Sequence, residues 1–284
     1  VMPVVSVILL VWNNTEHLLK CLAVLQEQTH QDFEIILLDN GSLDLTYLNR
    51  VSEKYAGMAI TVEKLASNRG FAAANNIGAR LAHGQWIALL NADAFPESDW
   101  LENLLRAVQQ NLQYSFFTSR QLQYHAPHLL DGAGDSYHVS GLAWRRFYNR
   151  PVQEYGRKTE EVFSPCAAAA LYSREEFLKI GGFDEDYFSY FEDVDLGFRL
   201  RLNGAKCSYV SDAVVHHVGS ASTGKRSDFS VYHGYRNMIW TFVKNMPSPY
   251  IWIFLPLHIS TVLFFALYLT WRGQGSAIWS AIFD

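Results

Sequence analysis

The 284-residue sequence holds three cysteines, Cys21, Cys166 and Cys207, with no CxxC spacing among them. So small and scattered a set argues against a disulfide framework and a structural zinc site, and points to a reducing, cytoplasmic setting. Charge is scarce as well: charged residues make up 18% of the chain, 23 Lys and Arg stand against 28 Asp and Glu, and no block of five like charges occurs. A formal charge of −5 gives no basic surface for holding a polyanion, so nucleic acid is not an expected partner and any phosphate site must be local. Disorder is excluded by the opposite excess, since 49% of residues are hydrophobic and 14% aromatic, enough for a large core. The opening VMPVVSVILL lacks a basic region ahead of its apolar run and passes straight into Asn13 and Asn14, which reads as a buried strand and not as a secretory leader.

Four apolar runs, Val4 to Val11, Phe33 to Asp39, Met58 to Leu65 and Trp86 to Leu90, alternate with amphipathic stretches at Thr15 to Gln28, Leu45 to Tyr55 and Phe71 to His83. Asn14 or Thr15 is available to cap the first of these helices. Strand–helix alternation predicts a parallel sheet with right-handed crossovers, whose ligands sit beyond the carboxyl ends of the strands. From about 121 to 161 the periodicity breaks up around Gly132, Gly134 and Gly141, predicting an irregular insertion. Regularity returns with Cys166 to Leu171, a helix opened by the capping box of Ser173 and Glu176, another from about Glu192 to Asn203, and strands at Lys206 to Val210 and Ala213 to His217.

Ile251 to Trp271 is a different kind of segment: 21 residues without a formal charge, bracketed by Trp252 and Trp271, with Lys244 and Arg272 outside. It is long enough to cross a bilayer. Its Trp belt suits an interface, and Pro256 and His258 keep open the alternatives of lying on the membrane or packing as a core helix.

Three groups of residues carry chemistry. Asn91-Ala92-Asp93 directly follows a strand, placing a hard oxygen ligand in the predicted crevice. Glu192, Asp193 and Asp195 put three acids in the first turn of a helix; the dipole lowers and a neighbouring diphosphate raises the Asp193 pKa, so sequence leaves the direction open. His216 and His217 end a strand, and because they point to opposite faces only one joins a site with Asp93.

Together VSVILLVWNN, LLDNGS at 37 to 42, NRGFAAANN at 68 to 76, NADAFP at 91 to 96, GGFDE at 181 to 185, FEDVDLGFRLR at 191 to 201 and HHVGSAS at 216 to 222 resemble the family 2 glycosyltransferases. YHGYRNMIW at 232 to 240 and the apolar tail are similar to the bacterial rhamnosyltransferase-like members. The resemblance, over about residues 4 to 245, implies a Rossmann-like α/β fold with a mostly parallel sheet of the glycosyltransferase-A type. The expected organisation is a catalytic domain at 1–245, with a nucleotide-sugar half to about 96 and an acceptor half beyond, then a membrane-associating apolar helical tail at 246–284. By the same resemblance Asp39 contacts base or ribose, Trp12 and Asn13 line that pocket, and Asn68, Gly70, Phe71 and Asn91 lie against the nucleotide. Asp93 matches the last acid of the family's D-x-D motif, whose first acid is Asn91 here. His217, five residues before Ser222, matches the metal-binding histidine, with His216 in reserve, and the ion is Mg²⁺ or Mn²⁺. Asp193 matches the general base and Glu192 its neighbouring acid.

No Q-x-x-R-W motif of the processive synthases occurs, so the resemblance implies inverting transfer of a single sugar, rhamnose foremost, from a dTDP- or UDP-sugar. The acceptor is a glycan or lipid-linked hydroxyl at the cytoplasmic face of the inner membrane, in cell-surface polysaccharide synthesis. Two other readings compete. A nucleotidyltransferase wants a Gly-rich, basic loop after the first strand, and Trp12-Asn13-Asn14-Thr15 has neither. A non-catalytic carbohydrate-binding membrane protein has no use for Asp93, Asp193 and a histidine together.

Overall fold

The computed structural model describes residues 3–219 and 227–284; Ser222, used above to fix the histidine register, lies outside the described residues. The chain runs β1 (Val5–Val11), α1 (Thr15–Gln26), β2 (Phe33–Asp39), α2 (Tyr47–Lys54), β3 (Ile60–Lys64), α3 (Gly70–Leu81), β4 (Trp86–Asn91), β5 (Ala94–Pro96), α4 (Trp100–Gln110), β6 (Phe116–Gln123) and β7 (Ala126–Gly132). It continues as β8 (Asp135–Tyr137), β9 (Ala143–Arg145), β10 (Glu160–Val162), β11 (Ala169–Ser173), α5 (Arg174–Lys179), α6 (Glu192–Leu202), β12 (Cys207–His217), α7 (Asp228–Asn245), α8 (Tyr250–Trp271) and α9 (Gly275–Phe283). A ten-stranded sheet takes the order β10-β12-β6-β11-β4-β1-β2-β3, with β5 on β12 and β7 on β6. The β1–β2, β1–β4, β2–β3 and β6–β12 pairs are parallel, whereas β11 runs antiparallel between β4 and β6. This mostly parallel α/β sheet is the expected architecture, and it runs without a break through both expected halves of the catalytic region.

The first strands read as unbroken apolar runs because both faces of the sheet are covered. Val5, Val7, Leu9 and Val11 pack with Leu18 and Leu22 of α1, Val51 of α2 and Trp100 of α4. Ile8, Ile36 and Leu38 face the other layer, with Ala72 and Ala79 of α3 and Phe177 of α5. Small residues on α3 bring that helix close to the sheet, and Gly78 marks the tightest approach.

Local expectations fare unevenly. Ser173 caps α5, its hydroxyl accepting the Glu176 N–H, but neither Asn14 nor Thr15 caps α1; the Asn14 side chain instead bonds His17 Nδ1 at 2.6 Å. The two short strands expected at 206–217 are one strand, β12, with an irregularity between Val210 and Val214. The irregular insertion contains β7, the β8–β9 hairpin and β10, strands too short or too distorted to show a period.

The apolar tail forms α8 and α9. Among α8 residues only His258, Val262, Ala266 and Leu269 are buried, spaced to form one stripe along the helix, while Trp252, Leu267 and Trp271 are 69%, 67% and 80% exposed. A helix with 17% of its most apolar window buried is not a core helix. His258 anchors it, stacking on Phe242 of α7 at 4.0 Å and bonding the Ser140 carbonyl through Nδ1 at 2.7 Å.

Gly78→Ala tests the α3–sheet contact. The new Cβ would lie 2.6 Å from Ile8 Cγ2 and 2.9 Å from Leu38 Cδ1. Overpacking of about 1–3 kcal/mol should outweigh a helix-propensity gain of about 1 kcal/mol, so thermal denaturation should show a lower Tm. A higher Tm would mean that the layers are not in van der Waals contact.

Candidate active site

The carboxyl ends of β1, β2 and β4, the N-terminal turns of α3 and α6 and the β8–β9 hairpin enclose one cavity of about 730 Å³. From the first half its wall includes Trp12, Asn68, Gly70, Phe71, Asn91 and Asp93. Gly70 has φ +78, and a Cβ there would meet the Phe188 carbonyl oxygen at 2.5 Å. That oxygen already accepts the Phe71 and Ala72 N–H groups at 2.7 and 3.2 Å. Asn13 and Asp39 do not line the cavity. Asp39 is buried, with one oxygen accepting the Ser42 N–H at 2.8 Å and the other the Tyr47 hydroxyl. Asn13 sits on the same turn, its N–H donating to Ser42 Oγ and its side-chain oxygen accepting the Leu43 N–H, both at 2.9 Å. Both residues shape the loop behind the wall.

Pairing of β12 with β5 sets His217 opposite Ala94, and the Val218 N–H donates to the Asp93 carbonyl. His217 Nε2 thereby stands 3.5 Å from Asp93 Oδ1, while Nδ1 is 2.8 Å from Asp131 Oδ2. Asp131 also accepts from Arg145 at 2.5 Å. Burial disfavours the charged form of both members of the pair, but their partners prevail: the His217 hydrogen bond and charge hold Asp93 below the usual carboxylate range, and Asp131, followed by Asp93, holds His217 above its ordinary value. His216 points the other way, partly exposed beside Glu97 at 3.2 Å. A carboxylate and an imidazole, the latter oriented through its second nitrogen by Asp131, form a donor pair that could hold a divalent cation. No group of three or more such side chains arranged to hold a metal occurs among the described residues.

The three acids of α6 take separate places. Asp195 is fully buried and structural, held by Arg199 at 2.8 Å, Lys244 at 2.9 Å and Asn245 at 2.8 Å. Glu192 and Asp193 line the cavity. Asp193 accepts the Ala167 and Val194 N–H groups at 3.1 and 2.9 Å, yet burial outweighs these and raises its pKa. Burial and then the Asp193 charge push Glu192 well above the carboxylate range, and its Oε2 has no partner. Desolvation, a cause that the sequence did not reveal, sets the direction for Asp193 among the protein's own groups.

Sequence reasoning passed over Asp131, Asp135 and Arg145, which the irregular region brings to this site. Asp135 lines the cavity, its Oδ1 is unpartnered, and burial followed by the neighbouring Asp193 raises its pKa from 3.8 to about 8. The acids of the stretch DGAGD, Asp131 to Asp135, were the one available signal; Arg145 had none.

A model described as glycosyl transferase family 2 matches residues 6–181, more than half of the chain. The chain belongs to that family. This glycosyltransferase is 28% identical over 258 residues to an N-acetylglucosaminyl-diphospho-decaprenol L-rhamnosyltransferase of Mycobacterium tuberculosis, covering 79% of this chain and 78% of that one. It is 35% identical over 105 residues to the glycosyltransferase AglE of Haloferax volcanii, or 36% of this chain and 34% of AglE. The match to the first such relatives spans less than half of their length. Among solved structures, GalNAc-T7 crystallised with UDP, GalNAc and Mn²⁺ shares the fold, with a TM-score of 0.69 and 17% identity over 88% of this chain and 49% of that one.

The crowded acids give a stability test. A carboxyl with a native pKa above its unfolded value destabilises the fold as pH rises from about 4 to about 8, because the native state holds a proton that the unfolded chain gives up. Asp135→Asn removes that dependence. Its Tm advantage over the parent should be small at pH 4.5 and grow up to pH 8; an advantage independent of pH would place the Asp135 pKa in the ordinary range.

Proposed function

We propose that this glycosyltransferase moves one sugar, of the rhamnose class, with inversion from a dTDP- or UDP-sugar to a hydroxyl of a glycan or lipid-linked acceptor in bacterial cell-surface polysaccharide synthesis. One observation supports the reading: a single cavity is lined by Asp93 and His217, side by side, and by the carboxylate of Asp193. Trp12, Asn68, Gly70, Phe71 and Asn91 receive the nucleotide, with the two aromatic rings available to the base, and the Asp39–Asn13 turn supports them from behind. A bound Mg²⁺ or Mn²⁺ supplies Lewis-acid stabilisation of the charge on the departing diphosphate. Asp93 and His217 hold it, and Asp131 fixes the imidazole.

Asp193 takes the proton of the acceptor hydroxyl as that oxygen attacks the sugar C1 from the face opposite the diphosphate. A raised pKa makes it the stronger base, and such help contributes about 10² to 10⁴ in rate. Glu192, its pKa raised by burial, is placed to hydrogen-bond an acceptor oxygen. Asp193→Asn should abolish turnover while donor affinity changes only a few fold; near-parental turnover would move the base to another group, Glu192 first. Asp93→Ala and His217→Ala should each remove the Mn²⁺ dependence of UDP binding in calorimetry. His216→Ala should retain it, and the reverse order of the two histidines would shift the motif by one residue.

The name of the mycobacterial relative specifies a decaprenol-linked acceptor, and α8 gives this chain a surface for reaching such a lipid. The buried stripe His258 to Leu269 ties the helix to the domain over about 16 Å of its length, so α8 lies in the interface with its other faces in lipid and does not cross alone. Leu263→Glu with Leu267→Glu, both exposed, should abolish sedimentation with anionic vesicles and leave turnover on a soluble acceptor intact. Unchanged vesicle binding would contradict the docking.

A further inference from the structure

The turn that leads into α6 is strained. Phe188, Tyr190 and Phe191 have φ of 63, 70 and 66, a left-handed conformation that costs bulky L-residues on the order of 1–3 kcal/mol each and persists only where the surroundings impose it. The restraint comes from α7. Asn237 is fully buried, and its Nδ2 lies 3.0 Å from the Tyr187 carbonyl, 3.0 Å from that of Ser189 and 2.6 Å from that of Tyr190. Arg236 fixes which way the amide faces: its Nε donates to Asn237 Oδ1 at 3.0 Å, and its Nη2 bonds the Asp186 and Tyr187 carbonyls at 2.8 and 3.2 Å. From the other side the N-terminus of α3 grips the Phe188 carbonyl. The clamped segment, Phe188 to Phe191, lines the cavity and is followed immediately by Glu192 and Asp193, whereas Asn237 does not touch the cavity.

We propose that Asn237, aimed by Arg236, is a positioning residue for the acids of α6: it holds the 187–191 turn in the left-handed conformation that points Glu192 and Asp193 at the reacting groups. This gives a purpose to Arg236 and Asn237 of the YHGYRNMIW stretch, whose Gly234 lines the cavity. The inference rests on the reading of Asp193 as base. A displaced base leaves ground-state donor binding in place and slows the chemical step, so the signature is a split between kcat and KM.

The test is a cycle of Asn237→Ala and Phe191→Gly in the full chain, measuring kcat, donor KM and donor affinity. Asn237→Ala should lower kcat about 100-fold, the scale of a misplacement near 1 Å, with donor KM within about three-fold. Glycine adopts positive φ without penalty, so in the Phe191→Gly background the same change should cost about 10-fold or less; the cycle divides out the effect of Phe191→Gly itself. Should Asn237→Ala fail to fold, Asn237→Ser, which leaves room for a water against the carbonyls, carries the same comparison. Equal losses in both backgrounds, or a change confined to KM, would overturn the clamp. Asp193→Asn separates the failures: if it is inactive while Asn237→Ala behaves as the parent, only this inference falls, and if it is active the base assignment falls first.

Discussion

Crowding carboxyl groups out of water is the cost around which this site is arranged. Asp93, Asp135, Glu192 and Asp193 share one cavity wall with one guanidinium, Arg145, and each ionised group there loses several kcal/mol of hydration unless it is paired. Different partners resolve the conflict differently. Asp93 has His217, which helps hold its pKa down; Asp193 has backbone N–H donors that only partly offset its burial; Glu192 and Asp135 each keep an unpartnered oxygen, and burial raises the pKa of both. In the proposed mechanism this lets acids of one chemical type serve as a cation ligand, a base and a hydrogen-bonding group.

The sheet makes the crowding possible. Parallel strands end together, so the residues after β1, β2 and β4 meet although they are far apart in sequence, and β12 delivers His217 beside Asp93 by pairing with β5. The layers on either side, packed at Gly78 and around Trp100, leave little freedom to relax. Strain is concentrated where α6 begins, and α7 carries the restraint there from the same helix that receives His258 of α8 through Phe242.

Much of the first half was legible because its elements are long and its periods clean: β1, β2 and β4 begin or end within a residue of expectation, and Asp93, Gly70 and Phe71 follow from the strand-end rule. The remainder was not, for physical reasons. Three-residue strands such as β8 and β9 have no measurable period. Asp131 bonds a histidine 86 positions away, and nothing local in sequence reports such a partner. Asp39, a strand-end acid like Asp93, is buried and bonded by the Tyr47 hydroxyl, a partner that the sequence did not show. The sequence set dipole against diphosphate for the Asp193 pKa and did not show the burial that raises it. A helix apolar all round reads alike whether buried, spanning or lying on a surface, and the exposure of α8 decides against the first.

The central claim is a single displacement at the sugar C1, with Asp193 as base. Proton NMR of the new glycosidic linkage, set against the anomeric configuration of the donor, tests it most directly. Inversion at every turnover is the predicted result; retention would require a covalent intermediate or attack from the diphosphate side, and would contradict the account.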